Sequence, residues 1–249
     1  MHKIVRNRVP HIIFIYWVIK IASTTLGETG ADMFSMTFNL GYGITILIFI
    51  ALFICFLAIK LYIRRYEPIV YWLLFTASAI VGTAISDYID RTLGLGYGEG
   101  SAILIILLLL ILFIWSKSEK SLNVEYITTQ RAELFYWAAF LLANTLGTAG
   151  GDFLSDDLNI GFMYSAVLIS GFLVFLALLH YFTDISGTLL FWLAFVLTRP
   201  FGATFGDLLT KPIDHGGLNL GTIGASLFFL IILVISVHKE TKLEKLRTL

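Results

Sequence analysis

Four aspartates sit in apolar surroundings, each fifteen residues after a tryptophan: Asp32 after Trp17, Asp87 after Trp72, Asp152 after Trp137 and Asp207 after Trp192. A glycine lies ten residues after each of the same tryptophans, at Gly27, Gly82, Gly147 and Gly202. A charged carboxylate in the middle of a membrane helix costs at least about 2.5 kcal/mol, so four at one register point to chemistry. Grouped carboxylates can ligate a cation or carry protons. The plain alternative is that each aspartate ends its helix in interfacial water.

Helical neighbours extend the pattern, because positions three and four apart share a face. Four residues before the aspartates stand Glu28, Thr83, Thr148 and Ala203; three after, Ser35, Asp90, Ser155 and Thr210; four after, Met36, Arg91, Asp156 and Lys211. Hard oxygen ligands without a cysteine cluster suit Mg²⁺, Ca²⁺ or Mn²⁺. The expected metal ligands are Glu28, Asp32, Asp87, Asp90, Asp152, Asp156 and Asp207, with Thr83, Thr148 and Asn144 as supporting polar groups. No cofactor is called for, since the divalent cation would be the substrate.

Arg199 lies seven residues after Trp192, where the other copies have Thr24, Ala79 and Asn144. It either neutralises one carboxylate structurally or acts as a gating and charge-compensating residue that fills the site when the cation leaves. Pro200 follows it and predicts a kink or break in the helix. Lys20, three residues after Trp17, is expected to snorkel to the membrane interface.

The elements that must position these residues are membrane spans. The chain has 249 residues, is 58% hydrophobic and only 14% charged, with a mean hydropathy of +0.87. A soluble domain of this size could not bury so much apolar surface. Spans of about 20 apolar residues are predicted at 11–34, 41–63, 68–91, 97–116, 132–155, 160–182, 187–210 and 219–238. Zero net formal charge gives no reason to invoke nucleic acid. The single Cys55 lies in an apolar run and reads as a packing residue.

Successive tryptophans are 55, 65 and 55 residues apart, so a two-helix hairpin is used four times, as repeats 11–63, 68–116, 132–182 and 187–238 of one transmembrane domain covering 1–249. The expected fold is therefore an all-α integral membrane protein of eight transmembrane helices. An even number of spans per unit makes the four repeats parallel, related by a pseudo-fourfold axis along the membrane normal. Small residues four apart (Gly27 and Ala31, Gly82 and Ser86, Gly147 and Gly151, Gly202 and Gly206) predict close packing of the four odd helices, with the even helices facing lipid. Each even span opens on a shared signature, Asn39-Leu40-Gly41, Gly94-Leu95-Gly96, Asn159-Ile160-Gly161 or Asn219-Leu220-Gly221, read as an N-cap and a tight turn. Lys3, Arg6, Arg8, Arg64, Arg65, Lys117, Lys120, Arg131, Lys239, Lys242, Lys245 and Arg247 fall on one side, which places both termini in the cytoplasm. The basic, then apolar, N-terminus is read as retained, because it contains the first copy of the repeat.

Three strings carry a family resemblance: Arg131-Ala132-Glu133-Leu134-Phe135-Tyr136-Trp137, Leu146-Gly147-Thr148-Ala149-Gly150-Gly151-Asp152 and Leu197-Thr198-Arg199-Pro200-Phe201-Gly202-Ala203. Over essentially its full length the chain resembles a family of bacterial multi-spanning proteins described only as uncharacterised membrane-anchored proteins. The resemblance implies a bacterial inner-membrane location and transfers no activity. A looser likeness is to cation exchangers with a Glu-x-Gly-Asp motif in paired repeats. The nearest string here, Glu28-Thr29-Gly30-Ala31-Asp32, has one extra residue, and the other copies lack the glutamate.

These readings lead to a secondary transporter of a divalent cation, Mn²⁺ or another hard metal, driven by proton exchange, with lipid, metal cation and protons as its partners and homo-oligomerisation left open. The alternatives are a cation channel and a non-transporting scaffold or sensor. Enzymatic activity is not expected. No Walker motif is present, and the Gly-x-Gly-Asp and Tyr-Asp pair of intramembrane aspartyl proteases is replaced by Ala149-Gly150-Gly151-Asp152 and Asp87-Tyr88.

Overall fold

The computed structural model describes residues 7–119, 122 and 127–248; Lys3, Arg6 and Lys120 of the basic side lie outside them. The described residues form eight long helices and no strand: α1 (Phe14–Asp32), α2 (Gly41–Ile63), α3 (Pro68–Asp87), α4 (Gly96–Glu119), α5 (Gln130–Asp152), α6 (Phe162–Phe182), α7 (Gly187–Thr210) and α8 (Thr222–Thr248). Six of them, α2, α3, α4, α6, α7 and α8, contain stretches long and apolar enough to cross a membrane, the pattern of a multi-pass membrane protein. In α1 the apolar run is interrupted by Lys20, Glu28 and Asp32, and in α5 by Glu133, Asn144 and Asp152. Those side chains are all buried among other helices, so protein rather than lipid covers them.

The odd helices form a closed inner ring: α1 packs on α3, α3 on α5, α5 on α7, and α7 back on α1. Each even helix leans on the odd helix of the following repeat, α2 on α3, α4 on α5, α6 on α7 and α8 on α1. The apolar stretch of α3 is 78% buried and that of α4 only 17%, which separates an inner ring from an outer one.

Glycine sets the approach within the inner ring. A Cβ on Gly27 would strike Ala79, on Gly82 Asn144, on Gly147 Arg199, and on Gly202 Thr24. Each partner stands seven residues after the tryptophan of the next copy, and the last copy closes on the first.

In the first three copies the helix widens into one π-helical turn directly after the aspartate, at Met33–Thr37, Tyr88–Thr92 and Phe153–Asp157. The fourth copy stays α-helical to Thr210 and then makes its own short turn at Ile213–His215. The asparagines of the shared signature do not act as side-chain caps of α2 or α6. Asn39 (φ 56°), Asn159 (φ 53°) and Asn219 (φ 55°) instead supply a left-handed residue two before a left-handed glycine, as Asn tolerates. The break expected at Pro200 does not occur, since helix α7 runs on through it. Trp72 and Trp137 are buried inside the bundle.

Candidate functional site

The space enclosed by the inner ring is filled in layers that follow the register from the tryptophans. One residue before each tryptophan stand Tyr16, Tyr71, Tyr136 and Phe191, which together line a cavity of about 10 Å³, the room of a single water. The Tyr71 and Tyr136 hydroxyls are 2.5 Å apart. Val9 and Pro10 close the cavity from outside. Arg8 and Lys60 hold this end together by pairing with the buried Glu133 at 2.5 and 2.6 Å. Glu240 of α8 accepts from the Tyr66 hydroxyl at 2.6 Å and from Trp72 Nε1 at 2.5 Å. The sequence reading missed this network, although Lys60 interrupting the apolar α2 and Glu133 four residues before Trp137 were its signals.

Three residues past the tryptophans the layer is Lys20, Phe75, Phe140 and Phe195. Phe75 meets Phe140 at 4.7 Å between ring centroids, and Phe140 meets Phe195 at 5.2 Å. Lys20 does not snorkel: it is 2% exposed, its Nζ donates to the Phe195 carbonyl at 2.7 Å, and it lies 3.1 Å from the Phe195 ring centroid.

Arg199 occupies the middle of the ring. Its guanidinium donates to Glu28 Oε2 at 3.4 Å and to the Thr24 carbonyl at 3.4 Å, both on the first copy. It also donates to the Thr83 hydroxyl of the second copy and the Thr148 hydroxyl of the third. A side chain carried by the fourth copy thus touches all the others. Thr83 and Thr148 serve Arg199, and Thr83 also donates to Glu28 at 3.1 Å. Asn144 bonds instead to Ser78, at 2.9 Å, and only braces α5 against α3.

All four repeated aspartates are buried, each at 2% exposure or less. Lys211 bridges two of them, with Nζ 2.7 Å from Asp32 Oδ2 and 3.1 Å from Asp207 Oδ1. Arg91 Nε lies 3.4 Å from Asp87 Oδ1. Both bases stand four residues after an aspartate and fold back over it, a role the sequence reading did not give them. Asp152 differs: it is 1% exposed, and neither carboxylate oxygen has a hydrogen-bond partner among the described residues.

Two of the expected ligands stand elsewhere. Asp90 accepts from Ser86 at 3.3 Å and faces Gly100 of α4. Asp156 is exposed on its π-helical turn. For Asp90 the cause is local: a π turn takes more residues per turn than an α turn, so position i+3 lags behind the aspartate's face. Asp156, at i+4, stands one residue before the end of its helix. Among the described residues no three carboxylate, imidazole or thiol side chains converge closely enough to hold a metal ion. Lys211 stands between Asp32 and Asp207, and Arg199 stands against Glu28.

No curated protein and no solved structure matches the chain. A family model described as a repeat of unknown function, DUF347, matches four consecutive times, at residues 15–66, 70–121, 135–186 and 190–240. These limits cover nearly the whole chain and follow the hairpins that carry the aspartates, so the protein belongs to the DUF347 repeat family.

Proposed function

We propose that the chain is a proton-coupled secondary transporter of a hard divalent cation, of the Mn²⁺ type, and that its buried carboxylates are the transport site. The observation that carries the proposal is Asp152, a carboxylate 1% exposed and without a donor at either oxygen among the described residues. Such a group is unfavourable unless something neutralises it. Five buried carboxylates (Glu28, Asp32, Asp87, Asp152 and Asp207) face three bases (Arg91, Arg199 and Lys211). A divalent cation or two protons supply the missing charge, which is the exchange a coupled carrier performs. Lys211 and Arg199 are resident counter-ions that move aside when the ion enters.

The supporting architecture is eight spans in four parallel hairpins around a pseudo-fourfold axis along the membrane normal. Glycine contacts that pass from each copy to the next, and from the last to the first, support that symmetry. The basic loops favour cytoplasmic termini, an orientation in which the tyrosine layer faces inward and the aspartates lie in the outer half of the bacterial inner membrane.

The test is uptake of Mn²⁺ into proteoliposomes under a pH gradient, wild type against Asp152→Asn. The proposal expects uptake coupled to proton movement and its loss in the variant. Equal traces for wild type, variant and empty liposomes overturn it. The pairing of Lys211 with both Asp32 and Asp207 favours a second reading, in which the charges only hold a scaffold together. In that case metal binding is absent, and Asp→Asn changes alter stability alone.

A further inference from the structure

We propose that Lys20 is the inner gate of the path to the acid cluster, a tethered ammonium that fills a cation-sized site in the aromatic layer and must leave it before an ion can pass. The inference rests on the transporter reading and adds a second station to it.

Lys20 lies three residues after Trp17, between the tyrosine-lined cavity on one side and Arg199 with the carboxylates on the other. Any ion moving along the enclosed space between the tyrosine end and the acids crosses this layer. The Lys20 Nζ lies 3.1 Å from the Phe195 ring centroid and 5.9 Å from that of Trp17, and the Phe195 carbonyl supplies one oxygen, while Phe75 and Phe140 complete the aromatic layer beside Phe195. An aromatic face and a carbonyl are the groups that hold a cation without a counter-charge.

Lys20 is buried, yet among the described residues no carboxylate lies within ion-pair distance of it. Every other deeply buried base here has a carboxylate: Lys60 has Glu133, Arg199 has Glu28, and Arg8 has Glu133. A desolvated ammonium held by one carbonyl and a ring is the least anchored of the buried charges. The Phe195 carbonyl accepts from both Lys20 and the Thr198 hydroxyl, at 2.7 and 2.8 Å.

The gate can be read without any transported ion. Cys55 is the only cysteine, so Cys55→Ser gives a thiol-free background. Thr148→Cys then places a near-isosteric thiol beside Arg199, on the acid side of Lys20. A charged, membrane-impermeant methanethiosulfonate is applied to the tyrosine-end face of oriented vesicles. With Lys20 in place, labelling is slow. Lys20→Ala is expected to raise the rate from that face at least tenfold, and Lys20→Arg to keep it slow. Equal rates with Lys20 and alanine from that face overturn the gate, whatever the transport assay shows. If the alanine variant does not fold, Lys20→Met, which keeps the volume and removes the ammonium, is judged by the same rates. Loss of Mn²⁺ uptake in Asp152→Asn reports on the transporter reading separately.

Discussion

Arg199 on the last repeat and Glu28 on the first are joined across the seam of the ring, Nη2 to Oε2 at 3.4 Å, with both side chains about 97% covered. The pair locks the first helix to the last, and Thr83 and Thr148 extend the lock to the two repeats between.

Breaking one side of that pair leaves the other charge buried and unmatched. Arg199→Gln is therefore expected to destabilise the folded protein by about 3–5 kcal/mol. Glu28→Gln combined with Arg199→Gln should recover part of the loss, because neither charge is then stranded. Denaturation in detergent for both singles and the double closes the cycle, and strictly additive losses would remove the lock.

The glycines offer a paired test. A Cβ at Gly82 would stand 2.9 Å from both the Asn144 Cβ and the Thr145 amide nitrogen. Gly82→Ala should cost about 1–3 kcal/mol through forced separation of α3 and α5. Gly150, also helical, has nothing within 4 Å of its would-be Cβ. Gly150→Ala should be neutral or stabilise by up to about 1 kcal/mol. Thermal midpoints of the two variants moving together would contradict the packing argument.

Lys211 pairs with both Asp32 and Asp207, so on the transporter proposal it competes with the ion for them. Lys211→Met should strengthen the stabilisation produced by Mn²⁺, read as a larger thermal shift at the same metal concentration. The same variant should be less stable than wild type in chelator. A metal response equal to that of wild type would mean that Lys211 does not stand in the ion's place.

At the tyrosine end Glu133 pairs with both Arg8 and Lys60. Glu133→Gln strands two bases, one of them fully buried, and is expected to cost about 3–5 kcal/mol. Because Arg8 belongs to the segment that closes the tyrosine-lined cavity, protease cleavage before residue 14 should also speed up. Unchanged cleavage would show that the backbone bonds from Asn7 and Arg8 to Tyr66 and Ile127 suffice to hold the segment.

Much of this was legible in the sequence. The fixed offset of aspartate from tryptophan gave the repeat, the helical segments and the inward face, because a period in a membrane chain can only be kept by helices that pack alike. The glycine spacing gave the close inner ring. What the sequence hid were partners distant in the chain. That Lys211 reaches Asp32, or that Lys20 stacks on Phe195, depends on which helix becomes whose neighbour. Asp90 was misplaced because an α-helical wheel was extended into a π-helical turn, and Asp156 because it stands at the exposed end of its helix. Pro200 suggested a break, but a helix packed on both sides tolerates the missing hydrogen bond.

The handing of each glycine to the next copy has a consequence for how such a chain arises. Two consecutive copies alone leave a glycine face unmet on one edge and its receiving position unmet on the other. A second set of two supplies both, so a half-length protein closes the same ring as a twofold pair. In that pair every residue occurs twice about the centre, and an arginine at the position of Arg199 would bring a second guanidinium into the same space. Joining the halves in one chain removes that constraint, and the single central arginine is what the joined chain alone can afford.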